Sequence, residues 1–292
     1  MNPSVNAPEP IIRWMFHSTA MVPDYDHAVE RLALLAGLRV LEYSDNQTPE
    51  IGRRGGMCWV GDNSIELGQP TVATGGAARF VERTGGGLHS VAVQVHDIDT
   101  AMAHAIEHGA PVAARPTPEM FFTDPRSTDG VFIEWATFEV HEDPHFGAEP
   151  PDYTVPPLLD VIHHAFVGAI VDDPGRTAAH LARLFGTSIT FESPDADPGS
   201  PSFGVSVGDC TVALYAMPGD VSERLWGNRY ERPRCHLLGL TVADLDAAVA
   251  ALDGTVFAIH RRADHVAVID PATTGGVQIA LVDELLPGDP RR

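Results

Sequence analysis

The chain has 292 residues, 44% of them apolar and 20% charged, enough to bury the core of one large or two medium domains and too apolar for whole-chain disorder. Its 40 acids against 19 Lys plus Arg give a formal net charge of −21, which disfavours nucleic acid and an anionic membrane surface as partners. Cys58, Cys210 and Cys235 make neither a disulfide framework nor a C-x-x-C zinc knuckle. The opening MNPSVNAPEP lacks a signal peptide's apolar stretch, and no apolar run reaches the ~18 residues of a membrane span. A soluble cytoplasmic protein is expected.

Residues 15–22, MFHSTAMV, read as a strand, with His17, Thr19 and Met21 on one face and Ser18, Ala20 and Val22 on the other. Asp24-Tyr25-Asp26 offers a helix N-cap. Ala28, Leu32 and Leu35 then make one helical face, and Gly37 a C-cap. Short strands follow at 57–60 and 64–67. The pattern recurs: VAVQV is a strand, Asp97 a cap, 98–108 a helix stopped by Gly109, and 120–123 and 131–136 are strands. His27, His104 and His108 fall on helices and are expected at the surface. The stretch 140–157, VHEDPHFGAEPPDYTVPP, holds five prolines and reads as a linker.

The segments on either side of it resemble each other. Val22 answers Val171, Gly61-Asp62 answers Gly208-Asp209, His89 answers His236, and Asp124-Pro125 answers Asp270-Pro271; the offsets are 149, 147, 147 and 146. So steady an offset is the mark of an internal duplication. Since each half also repeats a strand, a helix and about three strands, four such units are expected, two per half. The expected fold is α+β, with domains at 10–140 and 159–285 joined by a linker at 141–158.

Four βαβββ units paired into two domains resemble the vicinal oxygen chelate superfamily, which includes glyoxalase I, methylmalonyl-CoA epimerase, extradiol dioxygenases and antibiotic-binding resistance proteins. The likeness runs from about Arg13 to Val282. It is carried best by HSTAMVPDYDHAVERLALLAGLRV, VGDNSIELGQP, GGLHSVAVQVHDID and DPRSTDGVFIEW, the last similar to the HPRxTxGVxxE stretch of methylmalonyl-CoA epimerases.

The resemblance implies a divalent ion (Fe, Mn, Co, Ni or Zn) held by His17, Glu66, the His89-Ser90 pair and Glu134. Imidazole nitrogen and carboxylate oxygen suit such ions. Glu134 in FIEW is also a carboxylate inside an apolar strand, which demands a partner or a metal. The third position departs from the family pattern. Counting five back from Val95, as His17 stands five before Val22, gives Ser90; His89 would point away unless a bulge turns it. The matching positions of the second half read Phe166, Ala213, Leu237 and Ala280, so no metal is expected there. Glu134 is the candidate for a ligand that also serves as catalytic base.

The resemblance implies epimerisation, isomerisation or a lyase reaction through a metal-stabilised enolate of a small oxygenated substrate. Extradiol ring cleavage is the rival enzymatic reading, and metal-free sequestration of a drug the non-enzymatic one. Trp14, Phe16, Trp59, Phe121, Phe122, Phe132 and Trp135 could line a cleft or form plain core. A homodimer is left open.

Overall fold

The computed structural model describes residues 10–38, 40–43, 52–140, 143–147, 156–217, 219–227 and 230–292. Its strands form two eight-stranded sheets, one per half of the sequence. The first unit runs β1 (Ile12–Met21), α1 (Tyr25–Ala36), β2 (Val40–Tyr43), β3 (Arg53–Val60) and β4 (Asn63–Pro70). After α2 (Gly76–Thr84) comes the second: β5 (Gly87–Val95), α3 (Ile98–Glu107), β6 (Val112–Thr117), β7 (Met120–Thr123) and β8 (Ile133–Ala136). The first sheet is ordered β2-β3-β4-β1-β5-β8-β7-β6, so the antiparallel pair β1 and β5 joins the units at its centre.

The second half repeats this plan. Its units are β9 (Val161–Val171), α4 (Pro174–Phe185), β10 (Ile189–Glu192), β11 (Phe203–Val207) and β12 (Cys210–Ala216), then, after α5 (Ser222–Trp226), β13 (Arg234–Val242), α6 (Leu245–Leu252), β14 (Ile259–Ala263), β15 (Val266–Ile269) and β16 (Ile279–Val282). The sheet order is β10-β11-β12-β9-β13-β16-β15-β14, and the α+β class is that expected from the sequence.

One local device starts the main helix of all four units. An aspartate in extended conformation follows the first strand and accepts a bond from a first-turn amide: Asp24 from His27 N, Asp97 from Thr100 N, Asp173 from Arg176 N and Asp244 from Ala247 N. Ala28, Leu32 and Leu35 of α1 are buried as the spacing predicts, and Gly37 closes the helix at φ +68°. α2 was not legible in the sequence. It lacks a side-chain cap and buries one residue, Phe80, so no apolar stripe announced it.

The helix-bearing faces of both sheets pack into two shared cores. One joins Val91, Val93, Ile133 and Trp135 to Val167, Leu181, Leu184 and Phe185; the other joins Leu32, Leu35 and Leu67 to Leu240, Leu252 and Ile279. His104 and His108 lie at this seam and not at the open surface. They are half-buried and stacked 4.0 Å apart, and His104 Nε2 meets the Leu184 carbonyl at 3.0 Å. Phe121 and Trp135 stack at 5.6 Å inside the first core, so of the candidate cleft aromatics these two are plain core.

The repeated Gly-Asp turns clasp the halves reciprocally. Asp62 Oδ1 accepts from His164 N of β9 at 2.9 Å, and Asp209 Oδ1 accepts from Met15 N of β1 at 3.0 Å. Of the expected linker, residues 141–142 and 148–155 lie outside the described residues. Residues 143–147 are not featureless: Pro144–Phe146 form a turn of 3-10 helix, and His145 bonds Asp143 at 2.6 Å and Asp209 at 2.8 Å while stacking on Trp14. No helix among the described residues is long and apolar enough to cross a membrane.

Candidate metal centre

The faces of the sheets turned away from the helices differ in chemistry. On the first, strand register brings three ionisable side chains together. Thr19 pairs with Glu66 across β1 and β4, His17 with Ala92 across β1 and β5, and Ala92 with Glu134 across β5 and β8. Residues that pair across strands share a face, so His17 and Glu134 sit one strand apart with only an alanine methyl between them. One donor atom each from His17, Glu66 and Glu134 lies within 4.8 Å of the others. His17 Nε2 is 3.5 Å from Glu66 Oε2 and 3.9 Å from Glu134 Oε1.

All three are buried, at 2%, 5% and 1% exposure, in an environment where an unmatched charge is costly. Glu66 is the best provided: Thr19 Oγ1 donates to its Oε2 at 3.2 Å and Arg53 pairs with its Oε1. Burial would raise its pKa, but the charge of Arg53 and the nearby His17 and Thr19 hold it at about 2. Burial would lower that of His17, yet its interactions with Glu66 and Glu134 leave it raised. Glu134 is raised, by burial first and by the like charge of Glu66.

Neither ring nitrogen of His17 completes a hydrogen bond, and Glu134 Oε2 has none. Buried polar atoms without partners are rare and ask for one. An imidazole nitrogen and two carboxylates, one of them with an unbonded oxygen, fit a divalent ion of the hard or borderline type.

His89, expected among the ligands, is not in this trio. The pairing steps from Thr19↔Ser90 to Ala20↔Leu88, so His89 is the extra residue of a β-bulge. Its ring stands edge-on between Phe80 and Phe132, at 4.7 and 4.9 Å, and Nδ1 meets Ser90 Oγ at 3.3 Å. Burial together with Arg53 and Arg234 lowers its pKa to about 3, so it is a neutral neighbour of the site. The same irregularity recurs on β1, between Met15↔Val93 and His17↔Ala92, where Phe16 is the extra residue. Phe16 thereby joins Met57, Ala92, Ala136 and Phe138 in an apolar cluster beside the trio. Ser90 is paired with Thr19 as His17 is with Ala92, so Ser90 occupies the place related to His17 by the internal symmetry.

Two contributors went unnoticed in the sequence. Arg53 lies on β3 among paired carboxylates and histidine with its side chain 11% exposed; an arginine in RRGG gave no periodic signal. Arg234, from the second half, crosses to the first: it lies over the Phe80 ring at 4.6 Å and donates to the Gly86 and Leu88 carbonyls at 3.4 and 3.3 Å, backing the His89 bulge.

In the second half the corresponding space is filled. Phe166, Ala213, Leu237 and Ala280 all belong to one apolar cluster with Leu225, Trp226 and Tyr230. His236, the counterpart of His89, is the extra residue of the same bulge and is ringed by Tyr215, Trp226 and Tyr230 at 4.9–5.4 Å. No donor side chain stands at the four positions.

Residues 16–124 match the family model of the Glyoxalase/Bleomycin resistance protein/Dioxygenase superfamily. No curated protein matches the chain. Among solved structures, a triple mutant of 4-hydroxymandelate synthase from Streptomyces coelicolor shares the two-half fold, with a TM-score of 0.61 at 15% identity over 96% of each chain. Methylmalonyl-CoA epimerase from Mycobacterium tuberculosis matches 48% of this chain and 94% of its own, at 21% identity and a TM-score of 0.41. A Streptomyces coelicolor methylmalonyl-CoA epimerase variant matches 44% of this chain and 99% of its own, at 22% identity and the same TM-score of 0.41.

Proposed function

We propose that this member of the glyoxalase/bleomycin resistance/dioxygenase superfamily is a divalent-metal-dependent enzyme. It moves a proton at a carbon beside a carbonyl of a small oxygenated substrate, as an epimerase, isomerase or lyase. The observation that carries this reading is the convergence of the buried His17, Glu66 and Glu134, with both ring nitrogens of His17 and Oε2 of Glu134 left without hydrogen bonds.

His17, Glu66 and Glu134 would hold the ion, which when bound supplies Lewis-acid stabilisation of charge developing on a substrate oxygen. The carboxylates divide the remaining work. Glu66, held ionised by Arg53, stays a fixed anion. Glu134, with a raised pKa and a free Oε2, is the group that takes a proton from carbon and returns it. Phe16, Met57 and Phe138 form an apolar wall that keeps water from the exchanged proton.

Extradiol ring cleavage calls for two histidines and one carboxylate. With His89 set aside by the bulge, one histidine and two carboxylates remain, which favours proton transfer over iron–oxygen chemistry. A sequestering protein has no use for three converging buried ionisable groups, two of which keep atoms without hydrogen bonds.

The test is metal analysis of the purified protein, followed by exchange of substrate carbon-bound hydrogen in deuterated water across a panel of small carbonyl acids and thioesters. About one divalent ion per chain and deuterium incorporation that stops in Glu134→Gln are expected. A protein that binds no divalent ion, or a variant that exchanges at the native rate, would overturn the reading.

A further inference from the structure

Arg53 is an odd neighbour for a metal ligand. Its guanidinium pairs with Oε1 of Glu66, so in this structure one ligand carboxylate already has a cation. The strands are cleared to let it fold back. Gly55 and Gly68 pair across β3 and β4, and a Cβ at Gly68 would lie 3.3 Å from Arg53 Cδ and 2.6 Å from Met21 Cε. A Cβ at Gly55 would meet the Leu67 carbonyl at 2.9 Å and Glu66 Oε1 at 3.9 Å. In the second half, where no ligand set exists, Tyr215 stands 147 residues after Gly68 and fills that room as part of the apolar cluster.

Charge makes the arrangement informative. With His17 neutral as a ligand, two carboxylates, one guanidinium and one divalent ion leave a single positive charge. That charge would sit buried beside the apolar cluster of Phe16, Met57 and Phe138. A lone charge is expensive in such surroundings, and a monoanion brought by the ligand cancels it. A guanidinium released from Glu66 presents a planar fork of donors that matches a carboxylate.

We propose that Arg53 is an internal cation that competes with the divalent ion for Glu66 and, once displaced, holds a carboxylate group of the bound small molecule. This rests on the metal-centre reading above and adds to it the ligand class, an organic acid, and an order of events. The ion and the acid should therefore strengthen each other's binding.

The experiment is titration of the full chain with Co²⁺, followed by visible absorbance and calorimetry, with and without acetate as the carboxylate probe. Wild type, Arg53→Gln and Arg53→Lys are compared. Without acetate, the Gln variant should bind Co²⁺ about tenfold more tightly than wild type, since one charge-assisted bond no longer has to be broken. The Lys variant should stay near wild type. Acetate should tighten Co²⁺ binding to wild type and leave the Gln variant unmoved. Equal Co²⁺ affinity in all three proteins, or an equal acetate effect, would overturn this inference while leaving the metal centre standing. Failure of all three to bind Co²⁺ would overturn both. Should Arg53→Gln not fold, wild type alone decides: a Co²⁺ affinity indifferent to acetate refutes the coupling.

Discussion

At the scale of single residues, the site depends on how few donors it has. The three candidate ligands leave the fourth symmetry-related place to Ser90, which pairs with Thr19 as His17 pairs with Ala92. Ser90→His should therefore add a nitrogen on the correct face and tighten divalent-ion binding by roughly tenfold, measured by competition with a chelating dye. His89→Ala, by contrast, should alter ion affinity little, because the His89 ring is held between Phe80 and Phe132. Glu134→Gln should lower turnover by about 10²–10⁴ while the fold survives, the range expected for loss of a positioned acid–base group. Steady-state kinetics beside circular dichroism would separate that from unfolding.

At the scale of elements, the turns between paired strands carry the docking of the halves. Gly61 and Gly208 sit at φ +62° and +64°, a region an L side chain resists. An added Cβ would lie 2.8 Å from the Ile162 carbonyl in the first and 2.4 Å from Trp14 Cα in the second. Alanine at either position should cost roughly 2–4 kcal/mol, from strain and steric overlap together, read as a drop in denaturation midpoint. The turn at 143–147 adds a pH-dependent contact. Burial disfavours the charged form of His145, but Asp143 and Asp209 outweigh it and raise its pKa to about 9 from 6.5. A raised folded-state value means the contribution is complete below about pH 6.5 and is lost as pH climbs through about 9. The melting temperature should fall over that window, and His145→Gln should flatten the fall.

At the scale of the whole molecule, the two halves have divided their labour. The first gathers His17, Glu66 and Glu134 on one face of its sheet; the second sets Phe166, Trp226 and Tyr215 on the corresponding face and lends Arg234 to the first. Both principal cores draw on both halves, and Trp135 meets Phe185 across the seam at 6.1 Å. Unfolding in urea should therefore be one cooperative transition, with fluorescence and circular dichroism superimposable. Two separated transitions would show that the halves are stable alone.

Much of this was legible in the residues. The constant offset of 146 to 149 declared the duplication, and the aspartate caps with apolar helical stripes placed the main helices. The resemblance named His17, Glu66 and Glu134, all three of the converging side chains, and the carboxylate inside apolar FIEW marked Glu134 on its own. These are local properties: capping, periodicity and strand alternation act over a few residues. Tertiary structure alone decided the fate of His89, because a bulge depends on how two distant strands register and not on either strand's own pattern. It alone revealed Arg53 against Glu66 and Arg234 over Phe80, since a charge shows its partner only when the chain brings them together. The reciprocal bonds of Asp62 and Asp209 belong to the same class. In sequence they were landmarks of a repeat; in space each binds a backbone amide on the first strand of the opposite half.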